Sequence, residues 1–263
     1  CNKIYKIIQK KCKNLSYCPE RIVQGKSITE LPKLPQLISG KNKRAIYESA
    51  KLFKKVCKKI IYTEVIEAEL VKLLSNAYRY INFSISNQFY MICQNQNLDF
   101  FKIRKIMRDG YMRNANIPMS GFTAGPCLLK DTMQLSAFYN HKFLLGHSAM
   151  KINEGIPKFI INKLEKKYNL KKKTVGVLGL AFKSETDDIR DSLSIKLLKL
   201  LKSKKIKTLQ SDEYFKSKEN VNKKYLIKKS DIIIVSTPHK AYKYLKISKN
   251  KILIDVWGLI DEK

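Results

Sequence analysis

From Thr174 to the end of the chain, short runs are apolar at consecutive rather than alternate positions. Thr174-Val-Gly-Val-Leu-Gly, Ile206–Leu209, Ser230-Asp-Ile-Ile-Ile-Val-Ser and Lys251-Ile-Leu-Ile-Asp-Val all read this way. A strand apolar on both faces must be covered on both, and helical periodicity at Ser194–Leu201 supplies one such cover. The pattern predicts an α/β fold, a Rossmann-like parallel sheet with helices on both faces, over residues 174–263. Upstream the period changes. Ala68, Leu70, Leu73, Leu74, Ala77 and Ile81 recur at three- and four-residue steps in a stretch free of Gly and Pro, which predicts one long helix over roughly residues 62–95. Its stripe through Leu70, Leu74 and Ala77 offers a face able to pair with another copy. The whole of 42–98 reads as helical, 99–155 as further helices broken by the glycine-bearing loop Pro118–Gly125, and 156–173 as a linker helix with a basic end. Residues 1–40 read as the end of a helix, a strand near Asn14–Tyr17, and a loop punctuated by Pro19, Gly25, Pro32, Pro35 and Gly40. The expected divisions are 1–40, a helical central domain at 41–155, 156–173 and 174–263.

The charge limits the classes of function. Lys and Arg number 53 against 22 Asp and Glu, a net charge of +31. Such a field attracts polyanions, but the excess is nearly all lysine and spread over the whole length. A nucleic-acid groove concentrates arginine and aromatic residues on one element, so the charge is read as solvated surface. No run approaches the roughly 18 apolar residues of a membrane span. The first ten residues scatter charges among apolar positions, unlike a signal peptide. Because the chain opens on Cys1 and its first helical pattern has no cap, a further segment is expected upstream. The 6 cysteines contain no CxxC pair, and His141, His147 and His239 are not spaced as metal ligands. Reduced thiols in a cytoplasmic protein, without a metal site, are expected.

The chemistry gathers in Gly121-Phe-Thr-Ala-Gly-Pro-Cys-Leu-Leu-Lys-Asp131. Cys127 follows a glycine loop and precedes an amphipathic helical stretch, and a helix N-terminus and a nearby ammonium both stabilise a thiolate. Lys130 and Asp131 fall three and four residues later, on the same helical face. A nucleophile, a cation and a carboxylate then share one small volume. The plain alternative is an inert buried cysteine, the commonest fate of a free one. His147 is read as a core or helix-cap histidine and His239 as structural.

Gly-Phe-x-x-Gly-x-Cys-x-x-Lys-Asp resembles the active-site signature of the UDP-glucose/GDP-mannose dehydrogenase family. Three more segments agree with that family in order: Cys18-Pro-Glu-Arg-Ile-Val-Gln-Gly, Glu69-Leu-Val-Lys-Leu-Leu-Ser-Asn-Ala-Tyr, and Val177-Leu-Gly-Leu-Ala-Phe-Lys-Ser-Glu-Thr-Asp-Asp-Ile-Arg-Asp-Ser. The resemblance implies NAD-dependent oxidation of a UDP-sugar at C6 to the carboxylate. Cys127 would be the nucleophile that forms a thiohemiacetal and then a thioester. It implies that Asp131 handles the attacking water, that Lys72 and Asn76 hold the developing oxyanion, and that Glu20 is an acid/base or water-positioning group. Lys183, Gly121 and Phe122 would bind substrate, and Lys130 and Arg190 would face the NAD. Arg113 would reach a neighbouring subunit's site, which implies a homodimer. The chain departs from the family in having no Gly-x-Gly-x-x-Gly fingerprint, so residues 1–40 are read as the remnant of an NAD-binding domain. Gln24 stands where a second glutamate is common. Asp255-Val-Trp-Gly stands where an Asp-Gly-Arg-type segment is common, and together these favour an N-acetylhexosamine over glucose. The rival reading is a basic nucleotide- or nucleic-acid-binding protein, or an inactive fragment, that keeps the fold without the chemistry.

Overall fold

The computed structural model describes residues 2–123 and 125–260. Contacts group the chain into two compact units, Cys1–Asn76 and Ala77–Lys263.

The first unit contains helix α1 (Asn2–Ile8), strand β1 (Ser16–Tyr17), helix α2 (Ser27–Glu30), strand β2 (Gln36–Gly40), helix α3 (Lys43–Phe53) and strand β3 (Ile60–Tyr62). It also contains the opening turns of α4 (Val65–Asn95). The strands form a sheet in the order β1-β2-β3, with β1 antiparallel and β3 parallel to β2. Two of these strands correct the sequence reading. β2 was expected to be loop, because Pro32, Pro35 and Gly40 punctuate it, yet Gln36, Leu37, Ile38 and Ser39 are all buried. β3 was absorbed into a helical stretch, because three residues behind Lys58-Lys59 are too few to show a period of two. Helix α3 starts where Asn42 caps it, its Oδ1 accepting the Ala45 N–H at 2.8 Å.

In the second unit α4 continues to Asn95 and is followed by α5 (Phe100–Arg108), α6 (Leu128–Phe138) and α7 (Leu144–Lys167). The apolar stripe on α4 matches the expected one in part: Leu74 is exposed and continues along the helix to the exposed Tyr78, Ile85, Phe89 and Ile92, whereas Ala77 is buried. The expected linker helix at 156 is instead the second half of α7, which runs straight through Pro157. A proline normally ends a helix because it removes one N–H and crowds the preceding turn. Here Ile156, Ile160, Ile161 and Leu164 bury an apolar face that carries the helix past that loss.

The C-terminal part alternates β4 (Thr174–Leu178), α8 (Leu193–Ser203), β5 (Lys207–Ser211), α9 (Lys223–Lys229), β6 (Ile232–Val235) and β7 (Ile252–Asp255). The sheet order is β5-β4-β6-β7 and every pairing is parallel, with Val175 opposite both Thr208 and Ile232. The period of two divides the strands between two cores. Val175, Val177, Ile232 and Ile234 pack with α7 and α8, while Leu178, Ile233 and Val235 pack with Leu226 of α9 and with Tyr242. The parallel sheet covered on both faces is the architecture that the consecutive apolar runs predict. Among the described residues no helix is long and apolar enough to cross a membrane.

Candidate active site

The loop that delivers Cys127 is fastened at each step to elements of the second unit. Ser86 Oγ and the Arg104 guanidinium donate to the Pro118 carbonyl at 2.8 and 2.9 Å. Ser120 Oγ donates to the carbonyl of Val256, just past β7, at 2.9 Å. The Gly121 N–H donates to Asn87 Oδ1 at 2.8 Å. Asn87 Nδ2 donates to Asn153 Oδ1 at 2.8 Å, and Asn153 Nδ2 donates to the Tyr80 carbonyl at 3.1 Å. Both asparagines are fully buried, and this amide relay joins α4, α7 and the loop through satisfied polar groups.

Two glycines explain why the loop fits where it does. Gly121 has φ +154°, and a Cβ there would lie 2.3 Å from the Trp257 ring. Gly125 has φ +106°, and a Cβ there would lie 2.4 Å from the Phe182 ring. Only a residue without a side chain lets these rings come this close to the backbone. Phe122, between them, is 2% exposed and packs in the core with Ile156 and Val175. Its ring is therefore part of the core.

Cys127 is exposed and occupies the position immediately before α6, where the first N–H groups of the helix are unpaired. Lys130 Nζ lies 3.0 Å from Asp131 Oδ1, with the lysine side chain 66% and the aspartate 3% exposed. The hydrogen bond and charge of Asp131 push the Lys130 ammonium above its ordinary pKa, and Cys127 lies near enough to add to this. Arg190 grips Asp188 through two nitrogens, Nε at 3.0 Å and Nη2 at 2.6 Å. Asp188 raises the pKa of Arg190 first, and Cys127 contributes again. Two cations, each paired with its own carboxylate, thus lie in the neighbourhood of one exposed sulfur at a helix start.

The structure brings Cys127, Lys130, Asp131 and Arg190 together in the second unit. Lys183 lies in the same unit, in the turn after β4. Glu20, Lys72 and Asn76 belong to the first unit. Lys72 and Asn76 are half-buried, one turn apart on α4, and Glu20 is exposed with a carboxylate oxygen accepting the Ile22 N–H. Arg113 is exposed, stacked on the Tyr111 ring at 5.7 Å. His147 pairs with Ser136 at 2.6 Å between α7 and α6. Sequence reasoning did not single out Asn87, Asn153 or Phe182. A signal for Asn87 existed, since Tyr80, Ser84 and Asn87 fall at i, i+4 and i+7, a polar stripe on a buried helix face.

An exposed thiol at a helix start thus lies in one unit with a parallel sheet covered by helices on both faces. The class can be stated: residues 66–155 match the central domain and residues 176–262 the UDP binding domain of the UDP-glucose/GDP-mannose dehydrogenase family, and the chain belongs to that family. The UDP-N-acetyl-D-mannosamine dehydrogenase of Methanococcus vannielii is 32% identical over 98% of this chain and 64% of its own length. The NDP-N-acetyl-D-galactosaminuronic acid dehydrogenase of Ralstonia solanacearum is 22% identical over 95% of this chain and 62% of its own. Among solved structures, the UDP-D-ManNAc dehydrogenase from Pyrococcus horikoshii superposes with a TM-score of 0.87 at 25% identity, covering 100% of this chain and 67% of that one. The chain thus spans about two thirds of the length of such relatives.

Proposed function

We propose that this chain carries the thiol and nucleotide-sugar half of an NAD-dependent 6-dehydrogenase that oxidises the C6 hydroxyl of a UDP-sugar to a carboxylate. The observation that carries the reading is the exposed Cys127 at the start of α6, flanked by Lys130 and Arg190. Its thiolate adds to the C6 aldehyde to give a thiohemiacetal, and the thioester formed on further oxidation is hydrolysed by water. Asp131, buried and paired with Lys130, orients or deprotonates that water. Lys72 and Asn76 hold the developing oxyanion, and Glu20 acts as an acid/base or water-positioning group. Lys183 meets the diphosphate, with Gly121 and the backbone at Phe122 beside the sugar.

NAD supplies the hydride acceptor for both oxidations. Of the residues described, Lys130 and Arg190 would face it. The glycine turn after β4 is no pyrophosphate cradle, because the Leu180 and Ala181 N–H groups are already held by the Asp212 carboxylate. In this reading 1–40 belongs with the NAD-binding domain, 41–155 is the central domain, 156–173 joins it to the rest, and 174–263 binds UDP. The relatives named for N-acetylhexosamine substrates favour that class over glucose. The reaction would run in the cytoplasm, where thiols stay reduced.

The partner is a second copy of the chain. Tyr78, Ile85, Phe89 and Ile92 form an exposed apolar stripe on one face of α4, and a twofold contact buries such a face on both copies at once. Arg113 then serves the neighbouring site. The test is oxidation of UDP-N-acetylmannosamine with NAD by the full enzyme: Cys127→Ser should make no carboxylate, since a serine hydroxyl is a far weaker nucleophile than a thiolate and forms no thioester. Normal turnover by that variant sinks the covalent mechanism.

A further inference from the structure

Lys183 sits in an arch whose two ends are tied to one buried histidine. At the near end, Asp212 follows β5 and its Oδ2 accepts the N–H groups of Leu180 and Ala181, while its Oδ1 accepts those of Tyr214 and Phe215 at 2.8 and 2.9 Å. His239 Nε2 lies 3.2 Å from Asp212 Oδ2. At the far end, His239 Nδ1 accepts the Glu185 N–H at 3.0 Å. A backbone N–H can only donate, so Nδ1 holds the lone pair and the proton sits on Nε2, facing Asp212. One fully buried imidazole therefore bridges the two ends of the segment that carries Lys183. Its ring is held between Tyr214 at 5.0 Å and Tyr242 at 5.4 Å. The Glu185 side chain completes the far end, accepting the Lys240 N–H at 3.0 Å and the Tyr214 hydroxyl at 2.9 Å. Glu185 adopts φ +58°, a left-handed backbone that non-glycine residues hold only where their surroundings insist.

We propose that His239 is a positioning residue for the nucleotide site: it holds the Leu180–Glu185 arch so that Lys183 is presented to the diphosphate. The proposal rests on the reading of Lys183 as the diphosphate ligand. It makes no use of a charged imidazole. The bridge needs the neutral tautomer, one nitrogen donating and the other accepting.

The two nitrogens can be tested separately with UDP as the probe and the chain as described. His239→Asn keeps an acceptor near Nδ1, and His239→Gln keeps a donor near Nε2. Because four backbone N–H groups also hold Asp212, the Nε2 donor is the more dispensable of the two. Calorimetric titration should show His239→Gln weakening UDP binding by about tenfold, the scale of one lost hydrogen bond, with His239→Asn within about threefold of the unaltered chain. Amide exchange at Glu185 should accelerate in His239→Gln and stay slow in His239→Asn. A merely structural histidine would lower the melting temperature of both variants and leave the UDP affinity of both alike; that result overturns the proposal. Should His239→Gln not fold, Glu185→Ala loosens the same arch from its partly exposed end, and unchanged UDP affinity there overturns it equally. Failure of the unaltered chain to bind UDP refutes the role of Lys183, and the positioning role with it. Exchange at Glu185 separates the two failures, because it reads the arch without any nucleotide.

Discussion

Replacing Asn87 by alanine should be one of the more damaging changes available in the second unit, and the relay it belongs to allows a sharper test than a single variant. Asn87→Ala leaves two buried groups without partners, the Gly121 N–H and Asn153 Oδ1. At about 1–3 kcal/mol each, the loss is about 2–6 kcal/mol, a large share of the ~5–15 kcal/mol that holds a typical domain together. Asn153→Ala leaves only Asn87 Nδ2 unpartnered, because the Tyr80 carbonyl keeps its bond within α4. The double variant leaves only the Gly121 N–H. Its cost should therefore be close to the smaller single loss, about 1–3 kcal/mol plus cavity terms, rather than the sum. Denaturant unfolding of the four proteins measures this directly. Losses that simply add would show that the asparagines are not coupled and that the relay is not what holds the loop. A second readout follows from Gly121 preceding Cys127: iodoacetamide labelling at Cys127, followed by peptide mapping, should change in Asn87→Ala under conditions where the protein remains folded.

Three further outcomes are expected. Burial raises the Asp212 carboxyl, but hydrogen bonds from His239 and the Leu180, Phe215 and Tyr214 amides outweigh this and hold its pKa well below the ordinary value. Its stabilisation is therefore full above the unfolded pKa of about 4 and is lost as pH falls below it, so the melting-temperature gap between the unaltered chain and Asp212→Asn should shrink on acidification; a gap independent of pH would refute the assignment. Gly125→Ala must displace the Phe182 ring or distort a backbone at φ +106°, and should cost about 1–3 kcal/mol in denaturant unfolding; a neutral result would show that the loop can relax away from the ring. Glu165→Gln removes the carboxylate charge paired with Lys204 at 2.8 Å, but both side chains are more than a third exposed, so the loss should stay below about 1 kcal/mol and fade with added salt.

The C-terminal sheet was legible because consecutive apolar residues leave a strand no alternative to burial on both faces. The long helix was legible because its period runs unbroken by Gly or Pro. β2 and β3 were hidden for opposite reasons: prolines crowd the first, and the second is too short to carry a period. The continuity of α7 through Pro157 was invisible locally, since it depends on side chains that meet only after folding. The same holds for the site. Cys127, Lys130 and Asp131 stand together in the chain and could be read together, whereas Arg190 comes into the neighbourhood of the thiol only through the turn after β4. Phe182 meets the loop at Gly125, and Asn153 acts on it only through Asn87, 66 residues away, so no local pattern announces them.

The fastening of the Cys127 loop has a consequence for how the second unit comes apart. Ser120 is tied to the residue after β7, Gly121 lies under Trp257, and Gly125 lies under Phe182. The thiol's surroundings are thus assembled from both the helical part and the sheet. Local opening of the sheet's C-terminal edge should release the loop in the same event, as one cooperative unit. Cleavage or truncation near Trp257 would then loosen the surroundings of a cysteine more than a hundred positions upstream while leaving its own helix intact.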